Sequence, residues 1–248
     1  MCYGDEARPP APPVQGTVGE TGDLELTSAD GTQFAAYYAH PAQPSATAMV
    51  ILPDVRGLHS FYKELAVRFA EAGIHAIAFD YFGRTAGIGS RDEEFPYREH
   101  IEKLEPASVT ADVAASAAWL REQTSVGSMF TVGFCFGGSG SWRQSAAGLD
   151  LAGCIGFYGI PSRVEDVVDR MSAPLLMLAA GQDFTPVETV QEFADRVRSA
   201  GAEAEVHVYP DAPHSFFDRT FGEHRDACAD AWVRMLDFIG RRSVAAGA

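Results

Sequence analysis

The chain has 248 residues, 46% of them hydrophobic, and a formal net charge of −15 at neutral pH. That apolar content is enough for one large core and excludes an intrinsically disordered chain. The acidity excludes a nucleic-acid partner, because neutralising phosphates takes clustered cations; Lys63 and Lys103 are the only lysines, and the arginines are scattered.

No stretch approaches the ~20 consecutive apolar residues of a membrane span, so no membrane partner is expected. Residues 1–13 have neither a basic region nor an apolar core, and so do not read as a secretory signal. The expected compartment is therefore the cytoplasm, and Cys2, Cys135, Cys154 and Cys228 are expected as reduced thiols. Their spacing fits no zinc pattern.

Residues 1–18, rich in Pro and polar residues, read as a tail that is disordered or laid along the surface, and 19–248 as a single domain. Two strand-like runs, 24–27 and 34–39, flank an Asp30-Gly31 turn and predict an antiparallel hairpin at a sheet edge. The rhythm then changes. Apolar runs at 48–52, 75–79, 129–132, 154–157, 175–179 and 206–209 predict buried parallel strands. Helical patterns lie between them at 61–72, 108–123 and 187–199, the last directly after Pro186, and a final helix spans 224–240. The alternation predicts an α/β fold, a mostly parallel sheet with helices on both faces. In such a sheet, ligands bind beyond the C-terminal ends of the strands, so the chemistry is to be sought in the loops that follow them.

After the 129–132 run comes Gly133-Phe134-Cys135-Phe136-Gly137-Gly138. This has the form of the G-x-S-x-G nucleophile elbow, with Cys for Ser. The sharp strand-to-helix turn strains the central residue, and small neighbours on either side avoid clashes. The helix N-terminus beneath it favours a thiolate. Ser139 and Ser141 fall past the turn and are set aside. The 175–179 run ends in Gly181-Gln182-Asp183, and the 206–209 run leads to Pro213-His214-Ser215-Phe216. The order nucleophile, acid, histidine is that of an α/β-hydrolase triad, with Asp183 orienting His214 and His214 exchanging protons with Cys135. Asp211 is the rival acid and reads as a turn residue beside Pro210. His75 and His207, at or inside strands, read as structural.

On these motifs the chain resembles the dienelactone hydrolase family, the cysteine-nucleophile branch of the α/β-hydrolases, from about residue 24 to 239. Phe157-Tyr158-Gly159 is a further shared feature. The resemblance implies an α/β-hydrolase fold, no cofactor and no metal. It implies an oxyanion hole of the Val55 and Phe136 backbone N–H groups, the second of which also follows from the elbow itself. It implies a thiol-modulating acid at Asp54, where the family usually has Glu, and a substrate-binding arginine at Arg84 that pairs with that acid. A second substrate arginine is expected four residues after the histidine, where this chain has Asp218, with Arg219 one step later.

The expected activity is hydrolysis of a small ester or lactone, dienelactone-like and carboxylate-bearing through Arg84, with a thioester intermediate. A general carboxylesterase or thioesterase acting on neutral aryl esters is the alternative. A non-catalytic binding protein on the same fold is a third, opposed by the three triad residue types each following its own strand. The expected assembly is a monomer or homodimer. Tyr81, Phe82, Phe134, Phe136, Tyr158, Phe216 and Phe217 fall near the loops, where they could line a pocket for a ring-bearing substrate.

Overall fold

The structure, a computed structural model, describes residues 7–92 and 94–244; Cys2 lies outside them. Eight strands form one sheet: β1 (Val18–Thr27), β2 (Gln33–Pro41), β3 (Thr47–Leu52), β4 (His75–Phe79), β5 (Ser128–Phe134), β6 (Gly153–Phe157), β7 (Leu175–Gln182) and β8 (Ala204–Pro213). Their order is β1-β2-β4-β3-β5-β6-β7-β8. The β1–β2 and β2–β4 pairs are antiparallel and the remainder parallel, as expected for an α/β-hydrolase sheet with an N-terminal hairpin. The hairpin turn uses the residues read for it: Gly31 has a φ of 85° and the Asp30 carboxylate accepts the Thr32 N–H.

The helices are α1 (Ser60–Glu71), α2 (Gly83–Ala86), α3 (Tyr97–Ile101), α4 (Pro106–Gln123), α5 (Phe136–Gln144), α6 (Val187–Ser199) and α7 (Arg225–Arg242), with short 3₁₀ turns after β6. In α1, buried Phe61, Tyr62, Leu65, Ala66, Phe69 and Ala70 recur at helical spacing, and the His59 imidazole caps the first turn by accepting the Phe61 N–H. Helix α4 begins two residues before the predicted start, because Pro106 has the φ a first helical residue needs and no N–H to leave unsatisfied. The short α2 and α3 carry no apolar period long enough to be read beforehand.

The central strands are buried on both faces, so alternate residues feed two layers. Met49 and Ile51 of β3 join α1 and α7 through Leu65, Phe69, Trp232 and Phe238. Ala48, Val50 and Leu52 face α4 through Val109, Val113 and Leu120, while Leu175 and Met177 of β7 meet Phe193 and Val197 of α6. The N-terminal segment lies along the surface from residue 7 onward. Trp232 Nε1 donates to the Pro10 carbonyl, the Gly16 N–H donates to the Glu71 carbonyl, and β1 begins at Val18.

The chain reverses direction across the sheet at β3, which lies between β4 and β5. This is the topological switch point at which open α/β sheets bind ligands. Register pairs Leu52 of β3 with Gly133 of β5, so the loops leaving these two strands emerge side by side. The contact beneath them is tight: a Cβ on Gly133 would run into the Gly137 carbonyl, and one on Gly137 into the carbonyls of Leu52 and Pro53. Backbone cannot yield there as a side-chain tip would. Gly133→Ala is expected to cost about 3 kcal/mol or more by urea unfolding, the upper range for overpacking. Gly240→Ala, in α7 with open space around it, should be neutral or stabilise by roughly 0.5–1 kcal/mol.

Candidate active site

Cys135 stands between β5 and α5 with φ 55° and ψ −111°, a left-handed backbone that an L-residue rarely adopts. Tyr158, directly after β6, and Ser215, directly after His214, are also left-handed, with φ of 37° and 64°. Three of the four non-glycine residues of positive φ among those described thus sit at the same end of the sheet, which is where strained backbone accumulates in functional sites. The Cys135 N–H donates to the Phe157 carbonyl and its own carbonyl accepts from Ser139, so the turn is held on both sides. The thiol residue is partly exposed, whereas Cys154 and Cys228 are buried, and burial pushes each of their thiols up to about 12.

His214 Nδ1 lies 3.0 and 2.9 Å from the two carboxylate oxygens of Asp183, whose side chain is only 3% exposed. An ionised carboxylate accepts only, so Nδ1 is the donor and Nε2 is left for the nucleophile side. Asp211, the rival acid, is exposed on β8. The imidazole is held between two rings, Tyr158 at 4.8 Å and the largely exposed Phe184 at 4.6 Å between centroids. Tyr158 follows Phe157, whose carbonyl accepts the Cys135 N–H, so the tyrosine neighbours both the cysteine turn and the imidazole.

The loop after β3 is the second wall. In the run 54–57, the Asp54 N–H donates to the Tyr62 hydroxyl, the Arg56 N–H to Asp54 Oδ1, and the Gly57 N–H to the Asp54 carbonyl. Val55 is half-buried amid buried neighbours, and among the hydrogen bonds of the described residues its N–H finds no acceptor. Phe136, as the first residue of α5, likewise presents its N–H beyond the helix end. These are the two donors expected for an oxyanion.

What holds this loop was missed from sequence. Asp80, the residue after β4, is buried with its carboxylate accepting the N–H groups of Leu58 and Phe82, and it pairs with buried Arg91 at 2.8 Å. Gly57 packs so closely on Asp80 that a Cβ there would strike the carboxylate. The signal was its position at a strand C-terminus, but nothing in the spacing named Arg91 as its partner.

Arg84 requires a correction. Its Nη1 and Nη2 bond both oxygens of buried Asp112 on α4 at 2.7 and 3.0 Å, its Nε bonds Asp30 of the hairpin turn, and Nη2 also reaches Ser28. The guanidinium fork is thus spent on tying the hairpin to α4, and Arg84 holds neither Asp54 nor a place for a substrate carboxylate. Asp218 is buried and Arg219 exposed. Of the aromatics considered for a pocket, Tyr81, Phe82, Phe134, Phe216 and Phe217 are fully buried core, while Phe136 is partly exposed beside the thiol.

A doubly wound sheet with a left-handed cysteine at the switch point, and a histidine–aspartate pair beyond neighbouring strands, defines an α/β-hydrolase. Residues 34–243 match the model of the dienelactone hydrolase family, and the chain belongs to that family. It is an ester hydrolase of the dienelactone hydrolase type. The carboxymethylenebutenolidase of Pseudomonas putida is 30% identical over 229 residues, covering 88% of this chain and 96% of that protein. A dienelactone hydrolase-like promiscuous phosphotriesterase from metagenomic libraries superposes with a TM-score of 0.75 at 24% identity, covering 91% of this chain and all of that one. The Pyrococcus furiosus esterase Pf2001 superposes with a TM-score of 0.70 at 17% identity, over 96% and 99% of the two chains. These last two likenesses bear on fold.

Arg84→Ala is expected to act on stability rather than on specificity. Leaving Asp112 buried without its partner should cost about 2–4 kcal/mol, the range for breaking a buried pair reduced for the residual exposure of Arg84. Its kcat/KM should change by the same factor for a carboxylated ester and for its neutral methyl ester, measured on the folded fraction.

Proposed function

We propose that the protein hydrolyses small esters or lactones through a Cys135–His214–Asp183 triad and a thioester intermediate. The observation that carries this reading is the left-handed Cys135 at the head of α5, on the same end of the sheet as the hydrogen-bonded His214–Asp183 pair. His214 Nε2 takes the thiol proton, and the thiolate attacks the carbonyl carbon. The N–H groups of Val55 and Phe136 stabilise the oxyanion; the alcohol or enol leaves with the proton from His214. Water, deprotonated by the same imidazole, then attacks the thioester, and the acid departs as the thiol is restored. Asp183 holds the imidazole tautomer and stabilises its cation. Asp54, one residue before an oxyanion donor, is the group that modulates the resting thiol. No step calls for a metal or organic cofactor.

Two tests bear on this. Cys135→Ala and His214→Ala should each lower ester turnover by several hundredfold or more while leaving the unfolding midpoint within about 1 kcal/mol, because triad members act as a unit. Retention of a tenth of wild-type turnover by Cys135→Ala would sink the assignment. Separately, limited iodoacetamide labelling mapped by mass spectrometry should modify Cys135 well before Cys154 or Cys228, whose burial holds them protonated near neutral pH. Faster labelling of either buried thiol would count against an activated Cys135.

A further inference from the structure

We propose that Asp218 sets the charge preference of the site, making the enzyme select uncharged esters and lactones over carboxylate-bearing ones; this rests on the thiol-hydrolase reading above. Asp218 follows His214 by four residues, and its carboxyl is buried, 1% exposed. Its Oδ2 accepts from the Tyr158 hydroxyl at 3.0 Å, and its Oδ1 from the backbone N–H of Arg219. The Tyr158 ring is the one that lies 4.8 Å from the imidazole of His214. The acid therefore stands one hydroxyl away from the wall shared by the base and the nucleophile.

Among the described residues, the groups that face Asp218 include no cation. Asp54 approaches from the loop after β3, Tyr158 from the loop after β6 and Cys228 from α7, while Ser215 and the Arg219 N–H come from its own loop. Among the described residues no Lys or Arg side chain pairs with it, and the Arg219 side chain is exposed. Burial, reinforced by the negative charge of Asp54, pushes Asp218 up to about 8. Below that pH the carboxyl holds its proton and is neutral; above it the carboxyl is an anion in a dry environment, where like charges repel strongly. Burial likewise keeps the Tyr158 hydroxyl protonated well above its ordinary range, so it remains a donor to Asp218 throughout.

A substrate carboxylate would need a cation or several N–H donors. Arg84 is committed to Asp112 and Asp30, and the position where the family resemblance implies a second arginine carries this acid instead. An uncharged ester meets no such penalty and profits from the apolar surroundings of Phe136 and Phe184.

The test is the ratio of kcat/KM for a neutral methyl ester to that for the corresponding free carboxylate, measured with the full chain from pH 6 to 9.5. Both substrates use Cys135 and His214, and the substrate carboxylate is ionised throughout, so triad titration cancels in the ratio. At pH 6.5 Asp218 holds its proton and the wild-type ratio gives the baseline; the ratio should widen in favour of the neutral ester by roughly tenfold as Asp218 loses its proton around pH 8. Asp218→Asn should keep the ratio flat across the range. Should that variant fail to fold, Tyr158→Phe provides the second reading: loss of a donor to the ionised carboxyl should move the inflection to higher pH. A wild-type preference for the carboxylated substrate, or a ratio that does not change with pH, overturns the proposal while leaving the triad standing. Hydrolysis of both substrates that survives Cys135→Ala instead overturns the thiol-hydrolase reading, and this proposal with it.

Discussion

The close approach of α5 to the ends of β3, β5 and β6 is the constraint on which the site depends. At Gly133 and Gly137 a Cβ would enter the backbone of the elbow and of β3, and at Gly138 it would meet the Phe157 carbonyl of β6. Only hydrogen at these positions lets the helix N-terminus sit directly on the sheet. Because it does, the chain must turn within one residue, and that residue, Cys135, takes the left-handed backbone that projects its side chain outward. The strain at the nucleophile follows from helix–sheet packing, and the surrounding core over-determines it.

The same packing supplies the electrophilic half of the site. With α5 seated on the end of β3, the Phe136 N–H at the helix start and the Val55 N–H in the loop after β3 come from the two segments that meet there. The loop needs its own support, since residues 53–59 make no regular structure. That support comes from below, where Asp80 accepts the Leu58 N–H of this loop and the Phe82 N–H of its own, and is neutralised by Arg91. A buried ion pair contributes little net stability compared with an apolar pair, but removing one partner is costly. Asp80 and Arg91 are therefore better understood as fixing the geometry of the oxyanion loop than as stabilising the fold.

The strands and the His214–Asp183 pair were legible from the chain because both are written in local pattern. Apolar runs of strand length separated by helical periods specify a parallel sheet, and the sheet then says where loops must carry chemistry. Cys135, Asp183 and His214 each follow such a run, so their placement at one end of the sheet needed no knowledge of packing. The partners of the arginines were not legible. Arg84 sits one loop after β4 in the position a substrate-binding arginine would take, but its fork is claimed by Asp112 from the middle of α4 and Asp30 from the hairpin turn. Those contacts join segments 28 and 54 residues apart, and no periodicity brings them together. Asp112 falls on a buried position of α4 among Val109, Val113 and Ser116, where a carboxylate must find a cation. That conflict with the apolar face was the one trace in the sequence of where Arg84 would go.

Charge is thus distributed on two scales. At the surface the protein is strongly acidic, with its arginines matched in local pairs such as Arg241 with Glu205 and Asp237. In the interior, Arg84 and Arg91 neutralise Asp112 and Asp80 at the supports of the site. Each of these cations is used structurally, while the buried carboxyl of Asp218 has a tyrosine donor for a partner. A general negative field lowers the local concentration of anions and raises that of cations, whereas neutral molecules are unaffected. Surface and interior therefore act in the same direction, and both favour the proposed selection of uncharged esters over carboxylate-bearing ones.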